Sequence, residues 1–212
     1  MAQIPGPLEI AGSLQKAYEK TRSISADFDQ KTTVTMTGRD RHGAGKLVIL
    51  KPGQMRWDYL TPDKQVIICD GETITMYFEK NRQLIAGSAR EYISSDVTYS
   101  FFTGTGDIIR DFEVSAPDED ILTLESSHGI DQKILPADDT YVIKLIPRKP
   151  HPQVDYIHAW VQKDSFLISR LQIVDLFGSI TDLTFTHIKT NIPVDAGYFN
   201  FAPPPDTEII VN

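Results

Sequence analysis

The chain predicts a mainly β fold: a single curved or closed antiparallel sheet with an N-terminal helix and a central helical insertion. Three observations carry this expectation. Short segments alternating apolar and polar residues follow one another through most of the 212 residues, each bounded by turn chemistry. Only the first twenty or so residues show helical periodicity. One aromatic-rich insertion, broken by Gly104 and Gly106, interrupts the strand pattern. Consecutive strands with short connections favour antiparallel pairing in one layer that must bury one of its faces.

From Leu8 to Arg22, the residues Leu8, Ala11, Leu14, Ala17 and Tyr18 recur at three- and four-residue steps, backed by Glu9, Gln15, Lys16, Glu19 and Lys20. That is an amphipathic helix. Strands are predicted over 24–36, 45–50, 55–60, 65–69, 73–78 and 83–86. The segments TGRDRHGAG, KPGQ, TPDK, DGE and EKNR connect them, and Asp70-Gly71 is a two-residue hairpin signal. The insertion SDVTYSFFTGTGDIIRDF predicts two short helical turns hinged on its glycines. Strands resume over 112–115, 121–125, 141–147, 154–162, 166–177 and 180–190, with Phe177-Gly178-Ser179 as the last turn. Three prolines precede a short apolar tail and bar that stretch from a central strand. With no composition shift or internal repeat, one domain is expected over 1–212, residues 1–7 being a flexible lead-in.

The formal net charge of −8 disfavours nucleic acid or an anionic bilayer surface as the main partner. Cys69 stands alone in an apolar run, which fits a buried inert thiol and rules out an internal disulfide. No apolar run approaches the roughly 18 residues of a membrane-spanning helix. The start, MAQIPGPLE, lacks a positive n-region and an apolar h-region, so no signal peptide is expected within it. His42, His128, His151, His158 and His187 have no zinc-site spacing. GTGDIIR lacks the third glycine and the βαβ context of a dinucleotide loop. PDEDI and Asp138-Asp139 read as solvated acidic turns. No cofactor, metal or catalytic residue is expected.

The apolar faces are more informative. In KPGQMRWDY, Met55, Trp57 and Tyr59 share one side of a strand while Arg56 and Asp58 point to the other, towards solvent. The insertion carries Val97, Phe101, Phe102, Ile108, Ile109 and Phe112, too apolar for an ordinary connection over the surface. Either these residues are core, or they form a movable cover over an apolar cavity.

The run GKLVILKPGQMRWDYLTPDKQVIICDGETITMYFEKNRQ resembles the strand, basic-Pro-Gly, aromatic strand, Asp-Gly order of LolA-type outer-membrane lipoprotein carrier proteins. SFFTGTGDIIRDF is similar to that family's middle helices, and DLFGSITDLTFTHIKTNIPVDAGYFNFAPPPDTEII to its ending. The resemblance spans residues 8–211. It implies a single incomplete antiparallel β-barrel, a strongly curved sheet, with an N-terminal helix and a central helical lid. It also implies a periplasmic, non-enzymatic carrier, its signal peptide removed, that acts as a monomer without nucleic acid. Such a carrier takes acylated lipoproteins or lipids from an inner-membrane ABC transporter to an outer-membrane acceptor. On this reading, Phe28, Leu47, Ile49, Met55, Trp57, Tyr59, Met76 and Phe78 line an acyl cavity. Val97, Phe101, Phe102, Ile108, Ile109 and Phe112 form its lid, and Lys51 takes the place of the family's usual arginine as lid latch. Lysine offers a point charge without arginine's planar fork, which implies a weaker or differently built latch. Met55 stands where the family tends to have an aromatic residue. Two other classes stay open at this level: a lipid-sensing module of the same fold, and a lipid-directed enzyme built on His158 with Tyr156, or on His187.

Overall fold

The computed structural model describes residues 4–90, 106–119, 121, 139–151 and 153–211. Helix α1 (Pro7–Lys20) starts where proline's fixed φ and missing N–H are harmless. The Gly6 N–H donates to Glu9 Oε2 at 2.8 Å, so a side chain in the first turn reaches back to satisfy an orphan donor. Helix α2 (Ile108–Asp111) is a single turn capped from both directions. Asp107 accepts from the Arg110 N–H at 2.9 Å, and Asp111 from the Asp107 N–H at 2.9 Å.

Among the described residues twelve strands follow one another: β1 (Ser23–Val34), β2 (Arg39–Leu50), β3 (Gln54–Thr61), β4 (Gln65–Cys69), β5 (Thr73–Phe78), β6 (Gln83–Ser88), β7 (Phe112–Ser115), β8 (Thr140–Pro147), β9 (Tyr156–Gln162), β10 (Ile168–Val174), β11 (Ile180–Thr190) and β12 (Glu208–Val211). They form one sheet in the order β12-β6-β5-β4-β3-β2-β1-β11-β10-β9-β8-β7. The order ends on two different strands, so the sheet is open, in keeping with the incomplete barrel predicted. A hairpin forms at Asp70-Gly71, but its connection also takes in Glu72 and is longer than the two-residue loop expected. Asp70 Oδ1 accepts from the N–H groups of Glu72 and Thr73, while Gly71 sits at φ 105°, a backbone region other residues rarely enter.

Several boundaries differ from the sequence-based expectation. Residues 39–44, expected as connector, belong to β2. Arg39, Asp40, Arg41 and His42 are all exposed, so pairing alone makes them a strand and no alternation marks them. β10 starts at Ile168 because Phe166 turns through a left-handed φ of 54° and donates back to the Gln162 carbonyl. β9 starts at Tyr156, Val154 making only an isolated bridge with His151. The short apolar tail, for which no strand was predicted, is the edge strand β12, paired parallel with β6. The strand expected over 121–125 lies beyond the described residues after Ile121.

The chain partitions into two compact units. The first comprises Met1–Lys20, Thr32–Asp40 and Asp107–Thr184. Here Ile10, Ala11, Leu14 and Tyr18 of α1 are buried, and the helix packs on α2, β7 and β8. The Ile168 N–H donates to the Tyr18 hydroxyl at 3.4 Å. Burial pushes the Tyr18 phenol well above its ordinary range, so it stays neutral. Ile143, Leu145, Ile157, Ala159, Val161, Ile168 and Leu171 complete this core. The second unit comprises Thr21–Lys31, Arg41–Gly106 and Phe185–Asn212. Its core holds Phe28, Leu47, Ile49, Met55, Trp57, Cys69, Ile74 and Phe185. Gly45 is fixed by close approach: a Cβ there would overlap the Asp58 carbonyl of β3, next to an irregularity in the β2–β3 register.

Candidate functional site

In the second unit, strand register aligns apolar side chains into rows. Leu47, Trp57, Ile67, Met76 and Ile85 stand directly opposite one another across β2 to β6, and Ile49, Met55, Cys69, Ile74 and Gly87 form the next row. Because side chains alternate by strand period, both rows share a face with Tyr59 and Phe78. Burial across this face is uneven. Leu47, Ile49, Met55, Trp57, Cys69 and Ile74 are buried, whereas Tyr59, Ile67, Met76, Phe78 and Ile85 are each only partly buried. A packed half therefore grades into an apolar surface that the described core does not fill.

The packed half is held by aromatic contacts. The Phe28 ring meets Trp57 edge-on at 4.8 Å and Tyr59 edge-on at 4.8 Å, a favoured quadrupole arrangement. Phe185 lies 6.2 Å from the Trp57 ring. The indole N–H donates to Met55 Sδ at 3.0 Å, which gives a buried polar group its partner. The Tyr59 hydroxyl donates to Gln30 Oε1 at 2.8 Å, fixing the aromatic rim.

The opposite face is covered as well, which corrects one expectation. Arg56 and Asp58, expected in solvent, are only 20% exposed each. They form a forked ion pair with Nε–Oδ2 at 2.9 Å and Nη2–Oδ1 at 2.9 Å. The 3-10 turn Ala196–Phe199 lies on β3: Arg56 Nη1 donates to the Tyr198 carbonyl, and its guanidinium stacks 4.8 Å from the Tyr198 ring. Burial, followed by the Asp58 charge, raises the Tyr198 phenol above its usual range. Phe201 packs on Tyr77 at 5.1 Å.

Of the eight residues predicted to line an acyl cavity, Phe28, Leu47, Ile49, Met55 and Trp57 are thus in the packed half, and Tyr59, Met76 and Phe78 are on the partly exposed surface. Sequence reasoning missed Ile67 and Ile85, which stand in the same row as Met76. Lys51 is in the turn between β2 and β3, where its backbone N–H donates to the Arg22 carbonyl at 2.9 Å. Val97, Phe101 and Phe102 lie outside the described residues. Ile108, Ile109 and Phe112 belong to the first unit. Ile108 and Phe112 are buried, Phe112 as the opening residue of β7, and Ile109 is 44% exposed. Ile109 rims a shallow groove of about 480 Å3 with Gly12, Gln15, Lys16, Glu19, Asp107 and Arg110.

The two histidines considered for catalysis fall in different units. His158, 1% exposed, has Nε2 3.3 Å from Asp118 Oδ2 and its ring edge-on to Tyr156 at 5.3 Å. Lys144 binds the same carboxylate at 2.7 Å and lies 4.1 Å over the Tyr156 ring. The Lys144 hydrogen bond chiefly holds the Asp118 carboxyl below the usual carboxylate range. In the adjacent pairing, Arg170 stacks 4.2 Å over Trp160 and donates twice to Asp182. His187, 79% exposed, contacts Asp27 at 2.9 Å.

Comparison with known proteins agrees with this architecture. The family model described as outer membrane lipoprotein carrier protein LolA matches residues 19–134 and 123–202. An outer-membrane lipoprotein carrier protein of Chromobacterium violaceum is 24% identical over 206 residues, 97% of this chain and 89% of that protein. One from Neisseria meningitidis serogroup C is 27% identical over 200 residues, covering 94% of this chain and 86% of its own length. An uncharacterised conserved protein from Thermus thermophilus, of known structure, superposes with a TM-score of 0.58 at 10% identity, covering 97% of this chain and 98% of that one. That likeness concerns the fold alone. With matches running through most of its length, the chain belongs to the LolA family of outer-membrane lipoprotein carrier proteins.

Proposed function

We propose that this protein is a periplasmic carrier that shields the acyl chains of lipoproteins on the apolar face of its second unit. It would receive them from an inner-membrane ABC transporter and pass them to an outer-membrane acceptor. The observation that carries the reading is the partly exposed row of Ile67, Met76 and Ile85, flanked by Tyr59 and Phe78. A contiguous apolar patch that stays partly exposed beside the packed half of the same face is characteristic of a binding surface. The relatives' names give the ligand class. Met76 suits hydrocarbon of varying length, because its unbranched thioether adapts its shape.

The physical task needs no bond making. Each methylene moved from water onto an apolar surface is worth about 0.8 kcal/mol, so a free multi-acyl anchor would aggregate or enter the first bilayer it met. A carrier holds that gain only in part, and partial exposure of the patch limits its grip. Delivery then runs downhill to an acceptor that encloses the chains more fully. Lys51 is the candidate latch residue at the neighbouring β2–β3 turn.

Binding of a fluorescent long-chain fatty acid, and of a triacylated lipopeptide, tests this. Met76→Glu should weaken both by more than tenfold, since losing contact with about two methylenes removes about 1.6 kcal/mol. Thr75→Glu, one residue away on the opposite face, should bind like wild type. Equal binding by all three proteins would remove the assigned surface.

A further inference from the structure

We infer that one end of the first unit is a bilayer-docking tip, with Met36, Leu176 and Phe177 entering the lipid interface. These side chains are 80%, 60% and 70% exposed, and they occupy two turns that lie side by side. Thr35 Oγ1 donates to the Gly178 carbonyl, and one step inward Thr32 and Thr181 meet hydroxyl to hydroxyl at 3.1 Å. The apolar residues of both turns are thereby held at one tip.

The turns are built firmly. Asp175 Oδ1 accepts from the N–H groups of Phe177 and Ser179, each at 2.8 Å, and the Asp175 carbonyl accepts from the Gly178 N–H. In the other turn the Val34 carbonyl accepts from Thr37 and Gly38. These bonds engage two of the acidic groups near the tip, Asp175 in its own turn and Asp40 with the Thr33 hydroxyl at 2.8 Å, while Asp155, whose N–H donates to the Val174 carbonyl, is exposed at this end. The cations at this end are exposed: Arg39 follows the first turn, and Arg148 and Lys149 lie in the β8–β9 connection. That connection is at the same end because Tyr156 of β9 pairs with Val174 of β10.

The occupant follows from shape, size and charge. A turn tip projects and offers no pocket for a protein's anchor residues, whereas a bilayer interface accepts protruding Phe, Leu and Met. Three such side chains offer a few hundred Å2, well short of the roughly 1,000 Å2 of a stable protein interface. The chain's net charge of −8 opposes overall attraction to anionic lipid, so the apolar contacts must dominate and salt should matter little. This docking is independent of the acyl-binding face, and the two can fail separately.

The test uses full-length Phe177→Trp with phosphatidylcholine vesicles and with phosphatidylethanolamine–phosphatidylglycerol vesicles. The expected result is a blue-shifted emission on vesicle addition, quenching by brominated acyl chains, and less than a threefold change in partitioning between low and physiological salt. M36Q/L176Q/F177Q should partition at least tenfold more weakly, while keeping the wild-type circular dichroism and fatty-acid binding. No vesicle-dependent shift would overturn the proposal. So would the same shift without lipid at raised protein concentration, which would make the tip a contact between copies, or undiminished partitioning of the triple variant.

Discussion

Trp57 and Met76 stand in one cross-strand row, separated by Ile67, yet the structure gives them opposite sensitivities. Trp57 is 8% exposed, meets Phe28 and Phe185, and donates its N–H to Met55 Sδ. Replacing a buried tryptophan by alanine costs about 3–5 kcal/mol, because the cavity it leaves closes only in part. Against a total stability of about 5–15 kcal/mol, that is a large share. At about 2–4 °C per kcal/mol for a chain of this size, Trp57→Ala should lower Tm by about 10 °C. Met76 is partly exposed, so Met76→Ala should cost about 1 kcal/mol, near the centre of single-substitution effects. Thermal unfolding followed by circular dichroism separates the two. If Trp57→Ala stays within 2 °C of wild type, or Met76→Ala falls further than Trp57→Ala, the division of this face into a packed half and an open half is wrong.

Three other outcomes follow from particular contacts. Gly45→Ala should destabilise by about 1–3 kcal/mol in urea, since its Cβ would overlap the Asp58 backbone and no flexible side chain can yield there. Arg170→Ala should lose about 2–3 kcal/mol with its two charge-assisted bonds to Asp182. Arg170→Lys should recover only part of this, because lysine cannot reproduce the fork. Asp118, with its folded-state carboxyl held down chiefly by Lys144, contributes stability that is present above its unfolded pKa and is lost as pH falls through the lower folded value. The stability gap between wild type and Asp118→Asn, measured by urea midpoints, should therefore close in acid below the ordinary carboxylate range.

Much of this arrangement was legible because period-two patterning and turn chemistry agree with each other in the second unit. Met55, Trp57 and Tyr59 announced one face of β3, and Asp70-Gly71 placed the next hairpin. Ile67 was harder to assign because Val66, Ile67 and Ile68 are all apolar. The structure explains that run: Ile68 is buried on the side opposite Ile67, the side that also carries the buried Tyr77 under Phe201, so apolar residues are used on both faces and the alternation is erased. The same covering segment explains why Arg56 and Asp58 were misread as solvated. Strand β12 left almost no trace, because parallel pairing with β6 rests on backbone bonds while Ile209 and Val211 stay exposed. The early half of β2 was hidden likewise by its charged, exposed residues. Ile109 was legible as apolar but not as exposed; its place beside α1 depends on how α2 docks.

Methyl NMR with a saturating triacylated lipopeptide tests the central claim most directly. The account predicts intermolecular NOEs from acyl methylenes to the Ile67 and Ile85 δ-methyls and to the Met76 ε-methyl, with none to Ile143 or Ile168 in the core of the first unit. Saturable binding with no contact to Ile67, Met76 or Ile85 would contradict it.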